Sequence, residues 1–275
     1  MDDQRHDERP IGLFDSGVGG LTVLEAVARR FPEESFLYLG DTARVPYGTK
    51  SARTVERYTL QVADCLLRRG VKGLVVACNT ASALGLAALR AQSPVPVIGV
   101  IEPGCRAAAA ARPDGGQPAR VGVIGTRSTV ASGAYPYHLA MLDPSIQVIS
   151  LACPLFVPLV EEGWVDHPAV RMIVTDTLTP LFTQRLDALI LGCTHYPVLK
   201  GVIAETMGVR VALIDSSAAV ADELSRHLGG LIAPAPRGAA QRLAFLVTDV
   251  ADRFKETATR FISGIAVEAV EVVDL

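Results

Sequence analysis

Several things are scarce or missing in this 275-residue chain. There is no basic excess: Lys and Arg total 26 against 29 Asp and Glu, leaving a formal net charge of −3. Nothing in the charge therefore favours nucleic acid or an anionic membrane surface as a partner. Cysteine is sparse and odd in number (Cys65, Cys78, Cys105, Cys153 and Cys193), which argues against a disulfide scaffold and for reduced thiols in a cytoplasmic compartment. Cys-x-x-Cys and His-x-x-x-His spacings are absent, so no metal site is expected. Lysine occurs only at 50, 72, 200 and 255, none in a motif suggesting a Schiff-base cofactor. No apolar run is long enough to span a membrane, and the polar start, residues 1–10, has no signal-peptide core and reads as a disordered tail. What remains is 49% hydrophobic and 20% charged, the composition of a soluble globular protein.

The stretch Gly73-Leu74-Val75-Val76-Ala77-Cys78-Asn79-Thr80-Ala81-Ser82 organises what is present. A buried-type apolar run stops at a thiol, small polar residues follow, and an alanine-rich helical pattern begins. Cys78 is thus expected at the carboxyl end of a strand beside a helix N-terminus, where open α/β sheets bind ligands and a thiolate is favoured. Leu189-Ile190-Leu191-Gly192-Cys193-Thr194-His195-Tyr196-Pro197 repeats the arrangement.

Around these two stretches the pattern runs strand, loop, helix twice over. Ile11–Phe14 leads into Asp15-Ser16-Gly17-Val18-Gly19-Gly20 and an apolar period through Val27. As a phosphate loop that glycine run is weak, lacking a Gly-Lys-Ser/Thr ending and carrying the carboxylate of Asp15. Ser35–Gly40 is a second strand, followed by a long loop through Pro46-Tyr47-Gly48 that suits an active-site wall. An amphipathic helix over 54–69 buries Cys65 as packing, and a helix over 81–91 precedes a strand over 95–100. From Arg120 the order restarts: Val121–Thr126 mirrors Ile11–Ser16, a helix begins near Ser128, a strand covers 147–151, and a helix broken near Pro180 leads to the Cys193 strand. Pro113–Pro118 reads as a surface loop. The expected fold is α/β, with two pseudo-symmetric lobes of mainly parallel strands and the active site between them. A later strand from Val211 caps a helix over 218–227 through Ser216 or Ser217. A strand over 243–247, a helix over 251–263 and a strand over 267–273 close the chain.

A lone buried cysteine is commonly an apolar filler; two in matching contexts favour chemistry. A metal site of Cys78, Cys193, His195 and Asp15 lacks ligand spacing, and a cysteine hydrolase would leave one thiol unexplained. Two opposed thiols suit inversion at a carbon acid, where one removes the α-proton and the other reprotonates the opposite face. Asp15, Ser16, Asn79, Thr80 and Thr194 would hold an ammonium and carboxylates, and His195 would tune or relay the proton at Cys193. No cofactor is needed for this route.

Gly12–Gly20, Pro46-Tyr47-Gly48, Ala77-Cys78-Asn79-Thr80-Ala81 and Gly192–Pro197 together resemble bacterial glutamate racemases, in order and spacing from Ile11 to about Ser217. The resemblance implies cofactor-independent two-base interconversion of L- and D-glutamate by Cys78 and Cys193, supplying D-glutamate for peptidoglycan. It further implies that Asp15 assists the first thiol and His195 the second, that Glu161 is an acid near the second thiol, and that Asp15, Ser16, Tyr47, Gly48, Asn79, Thr80, Thr194 and His195 contact substrate. Two lobes are implied, 11–100 with 211–275 and 101–210, in a chain that forms homodimers. An aspartate or hydantoin racemase is the rival within the superfamily. A non-catalytic binder of acidic amino acids is the rival outside enzymes. No motif carries over to the tail after Ser217.

Overall fold

A computed structural model describes residues 6–111 and 119–275. The surface loop expected at Pro113–Pro118 and the first half of the expected tail lie outside these residues. The second half is not loose. Asp7 N–H donates to Pro234 O at 2.9 Å, Lys72 Nζ donates to Asp7 O at 2.7 Å, and Lys72 N–H donates to Pro10 O. Residues 7–10 are thereby tied to the body, which corrects the expectation of a disordered run to Pro10.

The first half of the chain gives β1 (Ile11–Asp15), α1 (Leu21–Arg30), β2 (Phe36–Gly40), α2 (Ala52–Arg68), β3 (Gly73–Val76), α3 (Asn79–Leu84), α4 (Leu86–Gln92), β4 (Val97–Gly99) and α5 (Ile101–Ala110). The second gives β5 (Arg120–Gly125), α6 (Arg127–Ala131), α7 (Ala134–Leu142), β6 (Gln147–Ala152), α8 (Phe156–Glu161), α9 (Pro168–Leu178), β7 (Ala188–Gly192), α10 (Lys200–Met207), β8 (Ala212–Asp215) and α11 (Ser216–His227). β9 (Leu243–Val247), α12 (Ala251–Ala258) and β10 (Val270–Val272) follow. The helix expected over 81–91 is two helices meeting at Gly85, where an added Cβ would come 2.6 Å from Thr59 Oγ1 of α2. α11 is capped by Asp215, whose Oδ1 accepts from Ser217 N–H at 2.9 Å, not by the serines expected.

The strands form two wholly parallel sheets, ordered β10-β9-β2-β1-β3-β4 and β6-β5-β7-β8. Every residue of β1, β2, β3 and β7 is buried, as covering both faces of a parallel sheet with helices requires. The runs β2-β1-β3-β4 and β6-β5-β7-β8 are one order used twice, so the repeat unit has four strands. This corrects the placement of the strand near Val211: β8 pairs with β7 in the second sheet, as β4 pairs with β3 in the first. The chain rejoins the first sheet only at β9, beside β2. The helices after the fourth strands cross over. α5 packs against α7 of the second half, α11 packs against α1 of the first, and the two touch each other. Arg106 of α5 and Glu223 of α11 form an ion pair at that crossing. The larger apolar cluster consequently runs through both lobes, from Leu13 and Val75 to Val123 and Ile190. Among the described residues no helix is long and apolar enough to cross a membrane.

Candidate active site

Because all strands of each sheet run parallel, their carboxyl ends share one edge, and the two edges meet. β1 delivers Asp15 and Ser16 there, β3 delivers Cys78, β5 delivers Thr126, and β7 delivers Cys193. A small, tightly closed cavity of about 20 Å³ lies between them. Ser16, Val45, Pro46, Tyr47, Gly48, Cys78, Asn79 and Thr80 line it from one lobe, and Thr126, Val157, Cys193, Thr194 and His195 from the other. Both thiols open onto this single space, from equivalent positions in the repeat.

Cys78 begins α3 as its cap, its Sγ accepting from Ala81 N–H at 3.5 Å and lying 3.6 Å from Ser16 Oγ. Burial pushes the Cys78 thiol up to about 12, with the nearby Asp15 charge adding to the effect and the Ala81 and Ser16 hydrogen bonds opposing it. Cys193 has a different neighbour. Its Sγ is 3.9 Å from His195 Nδ1, and His195 Nε2 is 3.0 Å from Glu161 Oε1. Burial alone would lower the His195 pKa, but the contacts with Cys193 and Glu161 outweigh it and push it up to about 10. The ring is thereby favoured as an imidazolium, held between the Cys193 sulfur and the Glu161 carboxyl group.

Not every expected contact residue faces the cavity. Asp15 is fully buried behind its wall, accepting from Gly17 N–H at 2.9 Å and from Thr194 Oγ1 at 3.3 Å. Desolvation raises its pKa, against the pull of His195. Glu161 reaches His195 from outside and borders a second space formed with Val45, Asp249, Arg253 and Phe254. The Tyr47 ring lines the cavity, but its hydroxyl donates to Asp41. Gly48 packs against Thr126 so closely that a Cβ there would meet the threonine side chain, and its carbonyl accepts from Ser128 Oγ at 3.0 Å. Ser16, Asn79, Thr80, Thr194 and His195 all lie on the cavity wall.

The structure adds residues that the sequence left unassigned. Thr80 Oγ1 sits 3.0 Å from Thr126 Oγ1 and 2.9 Å from Thr129 Oγ1, a hydroxyl cluster bridging the lobes. Tyr135 OH donates to Asn79 Oδ1 at 2.6 Å, which leaves the Asn79 amide N–H₂ available to the cavity. Thr126 occupies the position in the second repeat that Ser16 holds in the first, a signal the mirrored motifs already carried. Tyr135 and Asp41 carried none. Among the described residues no three His, Cys, Asp or Glu side chains converge as a metal-ligand set.

Comparison with known proteins agrees with this geometry. The family described as Asp/Glu/Hydantoin racemase matches residues 20–224. A glutamate racemase of Geobacter metallireducens is 48% identical over 256 residues, 93% of either chain. The crystal structure of a glutamate racemase from Bacillus anthracis superposes with a TM-score of 0.91 at 40% identity, covering 98% of this chain and 99% of that one. One from Francisella tularensis, in complex with D-glutamate, gives a TM-score of 0.88 at 35% identity, covering 97% and 98%. Two thiols at matched strand ends, in a chain related to these enzymes along nearly its whole length, leave one assignment: the chain belongs to the glutamate racemases of the Asp/Glu/Hydantoin racemase family.

Proposed function

We propose that the chain interconverts L- and D-glutamate by two-base proton transfer between Cys78 and Cys193, providing D-glutamate for peptidoglycan in the cytoplasm. The observation that carries this reading is that both thiols, one from each lobe, open on the same cavity. In one direction Cys193, as thiolate beside the His195 imidazolium, takes the α-proton. The electron pair left on carbon delocalises into the adjacent carboxylate, and the Cys78 thiol gives its proton to the opposite face. Cys193 is then the thiol and Cys78 the thiolate, the starting state for the reverse direction.

The Ser16, Thr80, Thr126 and Thr194 hydroxyls and the Asn79 amide offer hydrogen bonds to the substrate carboxylates and to the developing charge. Asp15 acts through Thr194, whose hydroxyl it accepts, and supplies negative charge near the substrate ammonium. Tyr47 and Gly48 wall the cavity, the Tyr47 hydroxyl being held by Asp41. No cofactor takes part in these steps. We take the lobes as 11–100 with 216–275 and as 101–215. A second copy of the chain is the expected partner, and the exposed Tyr137, Met141 and Leu142 of α7 offer an apolar face for it.

Incubation with L-glutamate in heavy water, following optical rotation and α-deuterium together, tests the reading. Loss of rotation with deuterium in the product is expected. Inertness toward both glutamate enantiomers, with turnover of aspartate, would instead make the chain an aspartate-type member of the superfamily.

A further inference from the structure

The segment after α12 belongs by connectivity to the first sheet, since it joins β9 to β10. It nevertheless reaches the second thiol's support. Phe261, 8% exposed, sets its ring edge-on to His195, with centroids 5.2 Å apart and planes at 87°. Arg260 donates through Nη1 to the carbonyl of Glu161, the residue whose carboxylate holds His195 Nε2. The Arg260 guanidinium also covers Gly163, whose φ of +75° closes the turn after α8; a Cβ there would lie 3.1 Å from Arg260 Cζ. The segment is itself held against the helix end, Phe261 N–H donating to Ala258 O at 2.9 Å and Ile262 N–H to the same oxygen at 3.1 Å. His195 therefore has Glu161 on one nitrogen and Phe261 against its ring, while Arg260, the residue before Phe261 in the first lobe, holds Glu161.

We propose that Arg260 and Phe261 are positioning residues for the second base, holding the Glu161–His195 pair against Cys193 only while the lobes are together. The proposal rests on the two-thiol reading above. Neither residue lines the cavity, so neither touches substrate. What they set is the angle of the imidazole over Cys193, and misplacement of a catalytic group by about 1 Å can lower a rate by roughly a hundredfold. The coupling also has a direction. Separating the lobes withdraws Phe261 and Arg260 from His195 and Glu161, while the Cys78, Ser16 and Ala81 contacts stay within the first lobe.

The test uses Phe261→Ala and Arg260→Ala in the full chain, with Phe261→Leu, which keeps an apolar filler, as the second reading should the alanine variant not fold. Racemisation by the wild-type chain is established first, so a failure of the underlying reading shows before any variant is made. Enantiomers are equal in free energy, so kcat/KM must fall equally in both directions; the expected drop is about ten- to a hundredfold, carried mainly by kcat. The deciding measurement is the primary isotope effect with α-deuterated L- and D-glutamate. Slowing the Cys193 step makes it more rate-limiting, so the effect rises for the enantiomer whose proton Cys193 removes and falls for the other. Arg260→Lys, which keeps a donor, should recover part of the rate. Isotope effects that shift together for both enantiomers, or wild-type rates in the alanine variants, would overturn the proposal.

Discussion

With its thiol pushed up to about 12 by burial and by Asp15, Cys78 rests protonated at neutral pH, whereas Cys193 faces an imidazolium that offers a counter-charge to a thiolate. The two bases are equivalent in the fold and unequal in their neighbours. Iodoacetamide at neutral pH should accordingly alkylate Cys193 ahead of Cys78, since the thiolate is the nucleophile. His195→Asn should remove the preference, as read by peptide mass spectrometry. Cys78→Ser and Cys193→Ser should each lose about a thousandfold in racemisation in both directions with glutamate binding kept, in line with the usual weight of a general acid or base. His195 also links pH to stability. Its native pKa of about 10 lies above the ordinary 6.5, so its contribution is complete below about 6.5 and is lost as pH rises through about 10. Urea midpoints across that window should fall more in the wild type than in His195→Gln. At this scale the thiols were legible because each follows a buried apolar run and precedes small polar residues. Asn79, Thr80, Thr194 and His195 stood out as their flanks, and Asp15 and Ser16 as the end of a separate apolar strand, Ile11–Phe14. Tyr135, Arg260 and Phe261 were not, because an ordinary tyrosine on a helix, or an arginine and phenylalanine after one, acquire a role only through long-range packing.

The elements that carry these residues depend on close approach at their ends. The Gly17–Gly20 turn between β1 and α1 sits under the second lobe, where a Cβ on Gly19 would overlap Thr194 and come 2.8 Å from His195 Nδ1. Gly19→Ala should therefore wedge the lobes apart and reduce kcat/KM by about ten- to a hundredfold, while far-ultraviolet circular dichroism stays that of the wild type. Glycine here serves contact between lobes rather than the phosphate cradle that glycine-rich turns often form. Element types were readable wherever the period was clean, as in β1, α2, β7 and β9. Bounds slipped where tertiary contact decided them. α3 and α4 meet at Gly85, where Thr59 leaves no room for a side chain, and Asp215 outcompetes two serines for the α11 cap because it comes last before the helix. β8 went to the wrong lobe because nothing local to Ala212–Asp215 names its neighbour; the four-strand repeat does.

For the molecule as a whole, binding and folding act through the same interface. A ligand held by Ser16 and Thr80 from one side and Thr126 and Thr194 from the other binds only the assembled pair, so glutamate at about a hundred times its Kd should add about 2.7 kcal/mol to stability. Differential scanning fluorimetry should show the rise, and Thr80→Val, which removes the hydroxyl shared with Thr126 and Thr129, should diminish it. The buried Lys72–Glu34 pair, at 2.6 Å with each side chain at most 5% exposed, anchors the base of the first lobe. Lys72→Met should cost about 3–5 kcal/mol by leaving a buried carboxylate unpaired, visible as a lower urea midpoint. The wide separation of β9 and β10 from β2 also orders events in time. The second sheet is complete once residue 215 has been made, from a continuous stretch. The first cannot close until residues 243–272 exist to cover the edge of β2. Synthesis from the N-terminus thus begins the first lobe early and finishes it last, and until residue 247 exists the outer edge of β2 stays unpaired, open to pairing with a foreign strand.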